Sequence, residues 1–535
     1  MALGMVATAG AGFLSLGAMM NSAVALGDTP DLVAPVIPPA GDIGLFVGAS
    51  GTPIPGPDYV GAAYELYVNH NFPGITSFFQ GAANPPFGNG VFTPEGLYPL
   101  EAAGVHQLYL NYPQVDGLPS LTSSVGQGAF NVQSTVLTEQ AANEASTVFG
   151  YSQGSTLNGI AMKLLDPLGT EKTGALDPKF LLIADPSNPN GGLLERFNGF
   201  ETMGGPQAGT VDPLSLPSLG LSFDGATPAD DYTTTIYSLE YDGFADFPRY
   251  PLNFLADLNA FLGIADLHGT YLNGAAPPSM DLSGPSPDDI ANAVHLTTTG
   301  GLTNYYMITS DTVNGVDGPV TPPLVSTLGD IPVIGKPLAD LLGPDLTVLI
   351  NLGYGSDNLG YSDAPANIPT PFGLAPDVNS TTLMTELTAG AQTGFAAFEK
   401  DLSDPAALFS SLTEPSTTSG PSLSDIFATL ATDFSSPEAA STTLTELANA
   451  FSSALSTAYS VFLPLTDISN ALSTSLPAYD LSLFTDNLAT GDLADAFGLP
   501  IAANTALETL AAGFSYEVIS TAASQIAADF TAIGF

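Results

Sequence analysis

Cysteine is absent from the 535 residues. That excludes disulfides, thiol catalysis and cysteine-based metal sites, so an exported form of the chain would have to stand on its core alone. Positive charge is almost as scarce: 7 Lys+Arg face 53 Asp+Glu, a formal net charge of −46. No lysine or arginine follows Lys400. With so few cations nothing can neutralise phosphates, which excludes nucleic acid as a partner and adhesion to an anionic membrane by charge. Only 11% of residues are charged, so the chain is uncharged and polar more than it is a polyanion. Histidine is limited to His70, His106, His268 and His295, with no H-E-x-x-H pattern or close pair, so neither a zinc site nor a cofactor is expected. Beyond the first 26 or so residues no apolar run is long enough to span a bilayer.

What is present begins with an uncharged Ala-, Gly-, Met- and Leu-rich leader ending in Ala23-Val24-Ala25 and followed by Gly27-Asp28. This reads as an export signal over residues 1–25, cleaved after Ala25, with an uncleaved membrane anchor as the alternative, and predicts a secreted or cell-envelope location. A Pro-rich lead covers 26–39. With 44% hydrophobic residues the remainder can bury a sizeable core. Strand patterns are read at Ile43–Val47, Val105–Tyr112, Thr147–Phe149, Lys179–Ala184, Thr233–Tyr241, Asn304–Thr309 and Leu346–Leu352, and helical stretches at Val132–Ala145 and Leu252–Leu262. Strands separated in this way by helical stretches predict an α/β fold, a parallel sheet with helices on both faces, over about 40–375. The texture changes over 376–535, where Ala, Ser, Thr and Leu dominate. Stripes at helical spacing (Leu423, Ile426, Phe427, Leu430, Phe434; Leu444, Leu447, Phe451, Leu455, Tyr459, Phe462; Leu507, Leu510, Phe514, Val518, Ile526, Phe530, Ile533) predict a helical C-terminal region with apolar faces. That region is expected to pack on the rest of the chain, with self-association or contact with an apolar envelope as the alternatives.

The chemistry centres on Phe149-Gly150-Tyr151-Ser152-Gln153-Gly154-Ser155. The bare G-x-S-x-G pattern is expected about half a time by chance in so glycine- and serine-rich a chain, so context must decide. Here a β-branched apolar run leads into it, and Leu157, Ile160, Leu164 and Leu165 follow at helical spacing. That is the strand–turn–helix setting of a nucleophile elbow. Ser152 is thus the candidate nucleophile. It needs a base and an acid to orient the base, in the chain order Ser, acid, His. Of the two histidines that follow, His268 lies in a loop position after the Leu252–Leu262 helix and is the candidate base. His295, and the earlier His70 and His106, are given structural roles. Asp246, which precedes His268 by one loop and helix, is the preferred acid. Asp242, nearer the strand end, is its rival. Asp185 is a third candidate whose Asp-Pro-Ser-Asn-Pro setting reads better as loop capping. The backbone N–H of Gln153 and the turn at Ser50 are expected to form the oxyanion hole, each donor worth about 3–4 kcal/mol in such sites.

Several long motifs resemble the mycobacterial PE-PPE domain: Gly150-Tyr-Ser-Gln-Gly154, Asp185-Pro-Ser-Asn-Pro-Asn-Gly-Gly192, Glu240-Tyr-Asp-Gly-Phe-Ala-Asp-Phe-Pro248 with its continuation to Asn259, His268-Gly-Thr-Tyr271, Pro57-Asp-Tyr-Val60 and Asn351-Leu-Gly-Tyr-Gly355. The resemblance covers about 40–375. It implies a cutinase-like serine α/β-hydrolase with esterase activity on short- to medium-chain acyl esters, with Ser152, Asp246 and His268 as its triad. The turn at Ser50 resembles the family's Gly-Gly-Thr-Gly segment, Ala49 and Ser50 replacing its second glycine and its threonine. Family members often carry an N-terminal helical module that directs specialised secretion; the residues ahead of the resemblance read as an export signal instead. The leading expectation is an exported serine esterase or lipase acting on acyl-ester or lipid substrates, with contact to the cell envelope through 376–535. An acyltransferase of envelope lipids or sugars on the same triad, and a non-catalytic envelope or adhesion protein, are the alternatives.

Overall fold

The computed structural model describes residues 42–52, 55–73, 77–78, 124–200, 215–216, 221–275, 284–309, 321–331, 334–355, 358–402 and most of 449–531. The leader, the Val105–Tyr112 strand, His106 and the helical stripe at 423–434 lie outside the described residues, as does most of the 444–462 stripe.

The chain enters through β1 (Ile43–Val47) and α1 (Pro57–Ala63), then β2 (Ser77–Phe78). Helix α2 (Ser124–Ala141) leads to β3 (Ser146–Tyr151), which turns directly into α3 (Gln153–Leu165). After β4 (Lys179–Ile183), a small antiparallel pair, β5 (Ser215–Leu216) and β6 (Leu221–Ser222), stands apart from the main sheet. The series continues with β7 (Thr234–Leu239), α4 (Phe254–Asp266), β8 (Val294–His295) and β9 (Thr303–Ile308). Among the described residues the main sheet has seven strands, in the order β2-β1-β3-β4-β7-β9-β8. All neighbours are parallel except β8, which runs antiparallel to β9 at the edge. This is the expected α/β architecture.

Alternation along each strand builds the two faces. Leu45, Val47, Val148, Phe180, Leu182 and Ile236 meet Val132 and Val136 of α2 and Leu157 and Ile160 of α3 in one cluster. The intervening Phe46, Phe149, Leu181, Ile183, Tyr237 and Leu239 face the other side, packing with Val60, Tyr67, Ala256 and Ile350. Because both faces are covered, the strands read as continuous apolar runs, as central parallel strands should.

The sequence order reverses at β1, with β2 on one side of it and β3 on the other. In such sheets the crevice beyond the carboxyl ends of the strands at this switch point is where ligands bind. The loop after β1 and the turn after β3 both lie at that point.

One expected strand is a helix. Leu346–Leu352 forms the last turns of α5 (Gly335–Asn351) and its cap. Its apolar positions Leu338, Leu342, Leu346 and Ile350 recur every fourth residue, and Ile350 is fully buried against the sheet. A short apolar run does not by itself separate strand from helix. Beyond it come α6 (Ser380–Leu402), α7 (Leu476–Thr490) and α8 (Leu493–Thr531). Helices α7 and α8 form a hairpin closed by Gly491 at φ 83°. The stripe Leu507, Leu510, Phe514 and Val518 is buried, in one cluster with Phe244, Phe261 and Phe197. Among the described residues no helix is long and apolar enough to cross a membrane.

Candidate active site

Ser152 stands between β3 and α3 with φ 56° and ψ −120°. A non-glycine residue with positive φ costs on the order of 1–3 kcal/mol and persists only where its surroundings impose it. They do so here. The Ser152 N–H donates to Ile183 O of β4 (3.0 Å), and its own carbonyl accepts from Ser155 N and Thr156 N (2.8 and 3.2 Å). The flanking glycines are required by close approach. A Cβ on Gly150 would lie 2.5 Å from Asn158 Nδ2, and one on Gly154 would lie 2.5 Å from Gly48 O in the loop after β1. The sharp turn thrusts the serine side chain off the end of the strand and brings the start of α3 against that loop.

Ser152 Oγ is 2.6 Å from His268 Nε2. On the other side of the ring, His268 Nδ1 is 2.9 Å from both Asp242 Oδ1 and Asp242 Oδ2. A carboxylate accepts, so Nδ1 carries the proton and the Nε2 lone pair faces the hydroxyl. Ser152 and His268 are each 8% exposed and Asp242 is fully buried, so this line of hydrogen bonds is sheltered from bulk water.

By position Asp242 is the candidate acid, which corrects the expectation that Asp246 would partner His268. Beyond β7, Tyr241 adopts φ 67°, and this turns Asp242 back over the sheet end towards His268. Asp246 lies one turn further on. Its N–H donates to Asp242 O (2.6 Å) and its Oδ2 accepts from Tyr241 N (3.0 Å), so its carboxyl closes the turn on itself. Burial pushes the Asp246 carboxyl well above the usual carboxylate range, which favours the uncharged form and suits it poorly to stabilising an imidazolium.

Asp242 is held by more than the histidine. Tyr271 Oη donates to Asp242 Oδ2 (2.7 Å) and accepts from Leu239 N (2.7 Å), while Phe244 N donates to Asp242 Oδ1 (3.1 Å). Tyr67 Oη in turn donates to Tyr271 O (3.0 Å), and Tyr151 Oη to His268 O (2.5 Å). Hydrogen bonds to charged groups contribute about 1.5–3 kcal/mol each. The acid loop is also pinned from outside. The fully buried Arg196 donates Nε to Phe247 O (3.2 Å) and Nη1 to Asn190 Oδ1 (3.3 Å) and to Thr370 O. Tyr241 Oη donates to Asn351 Oδ1 (2.8 Å). The Asp185–Gly192 and Asn351–Gly355 motifs are thus braces for the turn that carries Asp242. Tyr271, Tyr67, Tyr151 and Arg196 were not singled out from the sequence. Tyr271, three residues after the candidate base, and Tyr151, next to the candidate nucleophile, carry a local signal.

The remaining candidates fall as follows. Gln153 is the first residue of α3, buried behind the serine. Ser50 sits in the β-turn closed by Thr52 N to Ala49 O (2.9 Å), in the loop that Gly154 touches through Gly48 O. Among the described residues no hydrogen bond joins Ser50 to Ser152. Asp185 caps its loop, accepting from Ser187 N (3.0 Å) and Thr227 Oγ1 (2.7 Å), and does not reach His268. His70 is exposed on the helical turn Asn69–Asn71, and His295 is exposed on edge strand β8, its ring 5.0 Å from Tyr306.

Comparison with known proteins bears on this geometry. The family model described as the PE-PPE domain matches residues 88–355. The uncharacterized PPE family protein PPE28 of Mycobacterium tuberculosis is 37% identical over 515 residues, 92% of this chain and 67% of that protein. Esterase PE16 of the same organism is 34% identical over 357 residues, 66% of this chain and 55% of that protein. The PE family protein PE3, also from M. tuberculosis, is 33% identical over 359 residues, 65% of this chain and 61% of that protein. The matches thus span about two thirds of the first of these relatives and little more than half of the second. No solved structure matches the chain.

Proposed function

The chain belongs to the PE-PPE domain family, and on that premise we propose that it is a serine esterase hydrolysing short- to medium-chain acyl esters through an acyl-enzyme. The observation that carries the reading is the continuous line Ser152 Oγ, His268 Nε2, His268 Nδ1, Asp242, with contacts of 2.6 and 2.9 Å. The relative named as an esterase supports the reaction class.

Ser152 Oγ attacks the ester carbonyl carbon while His268 Nε2 takes the hydroxyl proton. The imidazolium that forms is stabilised by Asp242, which keeps its negative charge with Tyr271 Oη and Phe244 N donating to it. The carbonyl oxygen, now an oxyanion, lies where the Gln153 N–H at the start of α3 and a donor from the Gly48–Thr52 loop would converge. Donors fixed in advance at that point stabilise the transition state without having to reorganise. His268 then returns its proton to the leaving alkoxide, which departs as the alcohol. A water molecule, activated by the same nitrogen, releases the acid and restores Ser152.

Turnover of p-nitrophenyl esters from C2 to C16 by the wild type and by Ser152→Ala tests the proposal. Hydrolysis that falls by about 10⁴-fold or more in the variant is expected. A wild type as inert as the variant, with both folded, would sink it.

A further inference from the structure

The G-x-S-x-G pattern leaves its second position open, and here a tyrosine fills it. Tyr151 is the last residue of β3, paired with Ile183 of β4, and its side chain is buried. It belongs to the cluster on the sheet face that also holds Tyr67 and Tyr271. The ring lies 5.6 Å from that of Tyr271 and 6.1 Å from the His268 imidazole. At its tip the hydroxyl donates to His268 O (2.5 Å). Burial pushes the phenol far above its usual range, so the group remains a donor at any working pH. The base needs such a hold. Helix α4 ends at Asp266, and beyond its cap, Leu267, the His268 N–H reaches back to Gly263 O (3.1 Å). Glycine follows at 269, with no side chain to anchor the loop. The Tyr151 hydroxyl holds the carbonyl side of His268, from a strand that is itself paired along both edges.

Resting on the esterase reading above, we propose that Tyr151 is a positioning residue, whose hydroxyl sets the spacing of Ser152 and His268 by tying the base's carbonyl to the residue before the nucleophile. Two adjacent residues thus hold one histidine at two points. Ser152 Oγ meets the ring at 2.6 Å and Tyr151 Oη meets the backbone carbonyl at 2.5 Å. The loop cannot draw away from β3 without stretching both. Transfer of the hydroxyl proton to the imidazole requires hydrogen-bond contact, and a misplacement of about 1 Å costs on the order of 10²-fold in rate. The role differs from that of Tyr271, whose hydroxyl acts on Asp242 Oδ2 and so on the acid. The Tyr151 phenol is buried and committed to a carbonyl, so it acts through His268 and not on the ester.

The test is Tyr151→Phe, which keeps the ring and deletes the donor, beside replacement of Tyr151 by 4-aminophenylalanine, which puts a weaker donor in the same place. The C2–C16 ester series and the rate of Ser152 labelling by a fluorophosphonate are measured on the full chain, with urea unfolding to follow stability. In Tyr151→Phe, kcat and the labelling rate should fall together by roughly 10–100-fold, by one factor at every chain length and with KM nearly unmoved. The amino variant should be intermediate in both rates, and it remains informative if the phenylalanine variant fails to fold. A folded Tyr151→Phe that keeps the wild-type rates, or that loses only stability, overturns the positioning role while leaving the esterase intact. So does a folded amino variant as slow as the phenylalanine one, or a loss in either variant confined to the longer esters. A wild type that neither labels nor hydrolyses any ester removes the esterase reading itself, and this inference with it.

Discussion

The turn after β3 and the turn after β7 do the same mechanical job, the second with distant side-chain bonds added. Each follows a fully buried parallel strand, and each swings a functional side chain over the strand end through a non-glycine residue at positive φ, Ser152 at 56° and Tyr241 at 67°. Ala184, just beyond β4 between them, also has a positive φ, 51°, and the Asp185 that follows it caps its own loop. The elbow after β3 is packed so tightly against the loop after β1 and against α3 that glycine is obligatory at 150 and 154. The turn after β7 also has a close-approach glycine, Gly243, where a Cβ would collide with Ala260 O of α4, and it adds side-chain bonds: Asp246 on the Tyr241 N–H, Asn351 on the Tyr241 hydroxyl, Arg196 on Phe247 O. Close approach leaves glycines in the sequence at both turns. The bonds from Asn351 and Arg196 come from distant segments and leave nothing local to read.

The sharpest way to break this comparison is to exchange the two aspartates of the second turn. Asp242→Asn removes the carboxylate that fixes the histidine tautomer and should lower kcat by about 10⁴-fold. Asp246→Asn keeps an acceptor for Tyr241 N and resembles the uncharged carboxyl that burial favours, so kcat should change by less than about tenfold. Steady-state kinetics on the two folded variants decides; the reverse ranking would return the acid role to Asp246.

A smaller effect is expected from Tyr271→Phe. The substitution deletes the donor to Asp242 Oδ2 and strands the buried Leu239 N–H that the hydroxyl accepted. A loss of about 1–3 kcal/mol of stability and a fall of roughly tenfold in kcat/KM should follow. Urea unfolding and ester kinetics measure the two separately. Unchanged kinetics would mean that the histidine and Phe244 N suffice to hold the acid.

Much of this was legible before the structure. The β-branched and apolar runs of β1, β3, β4, β7 and β9 announced a parallel sheet, because strands buried on both faces need not alternate. Glycines bracketing Ser152 announced the elbow, and only two histidines followed it. The acid was not legible in the same way. Asp242 and Asp246 share one loop, and both lie at workable separations from His268. What divides them is the backbone of Tyr241, which aims Asp242 at His268 and leaves Asp246 on the Tyr241 N–H, a product of tertiary packing. Leu346–Leu352 was misread as a strand because its apolar density hides a fourfold spacing that only the buried Ile350 reveals. The contact of Phe514 with Phe244 joins segments so far apart that no local pattern could announce it.

The third strand-end turn extends the comparison to pH. Asp185, next to Ala184, is fully buried, and desolvation pushes its carboxyl up to about 6 although Thr227 and Ser187 donate to it. Glu195 and Asp266 are pushed up by burial to about 7. For each, the folded chain holds a proton that the unfolded chain has released above its ordinary value near 4. Their contribution is therefore fully present below about pH 4, falls as pH rises above it, and is gone above about 6 for Asp185 and about 7 for Glu195 and Asp266. For Asp185 alone the loss is on the order of 3 kcal/mol, about 1.4 kcal/mol per pH unit. Thermal melts from pH 4.5 to 8 should accordingly show Tm falling as pH rises. Asp185→Asn, which mimics the protonated form, should make the decline shallower between about pH 4 and 6, while the decline that Glu195 and Asp266 cause from about 4 to 7 remains. Parallel curves for wild type and variant would mean that the Asp185 loop opens to water when its carboxyl ionises. The turn after β4 would then be the yielding one of the three, and the rigidity of the other two would belong to the triad they serve.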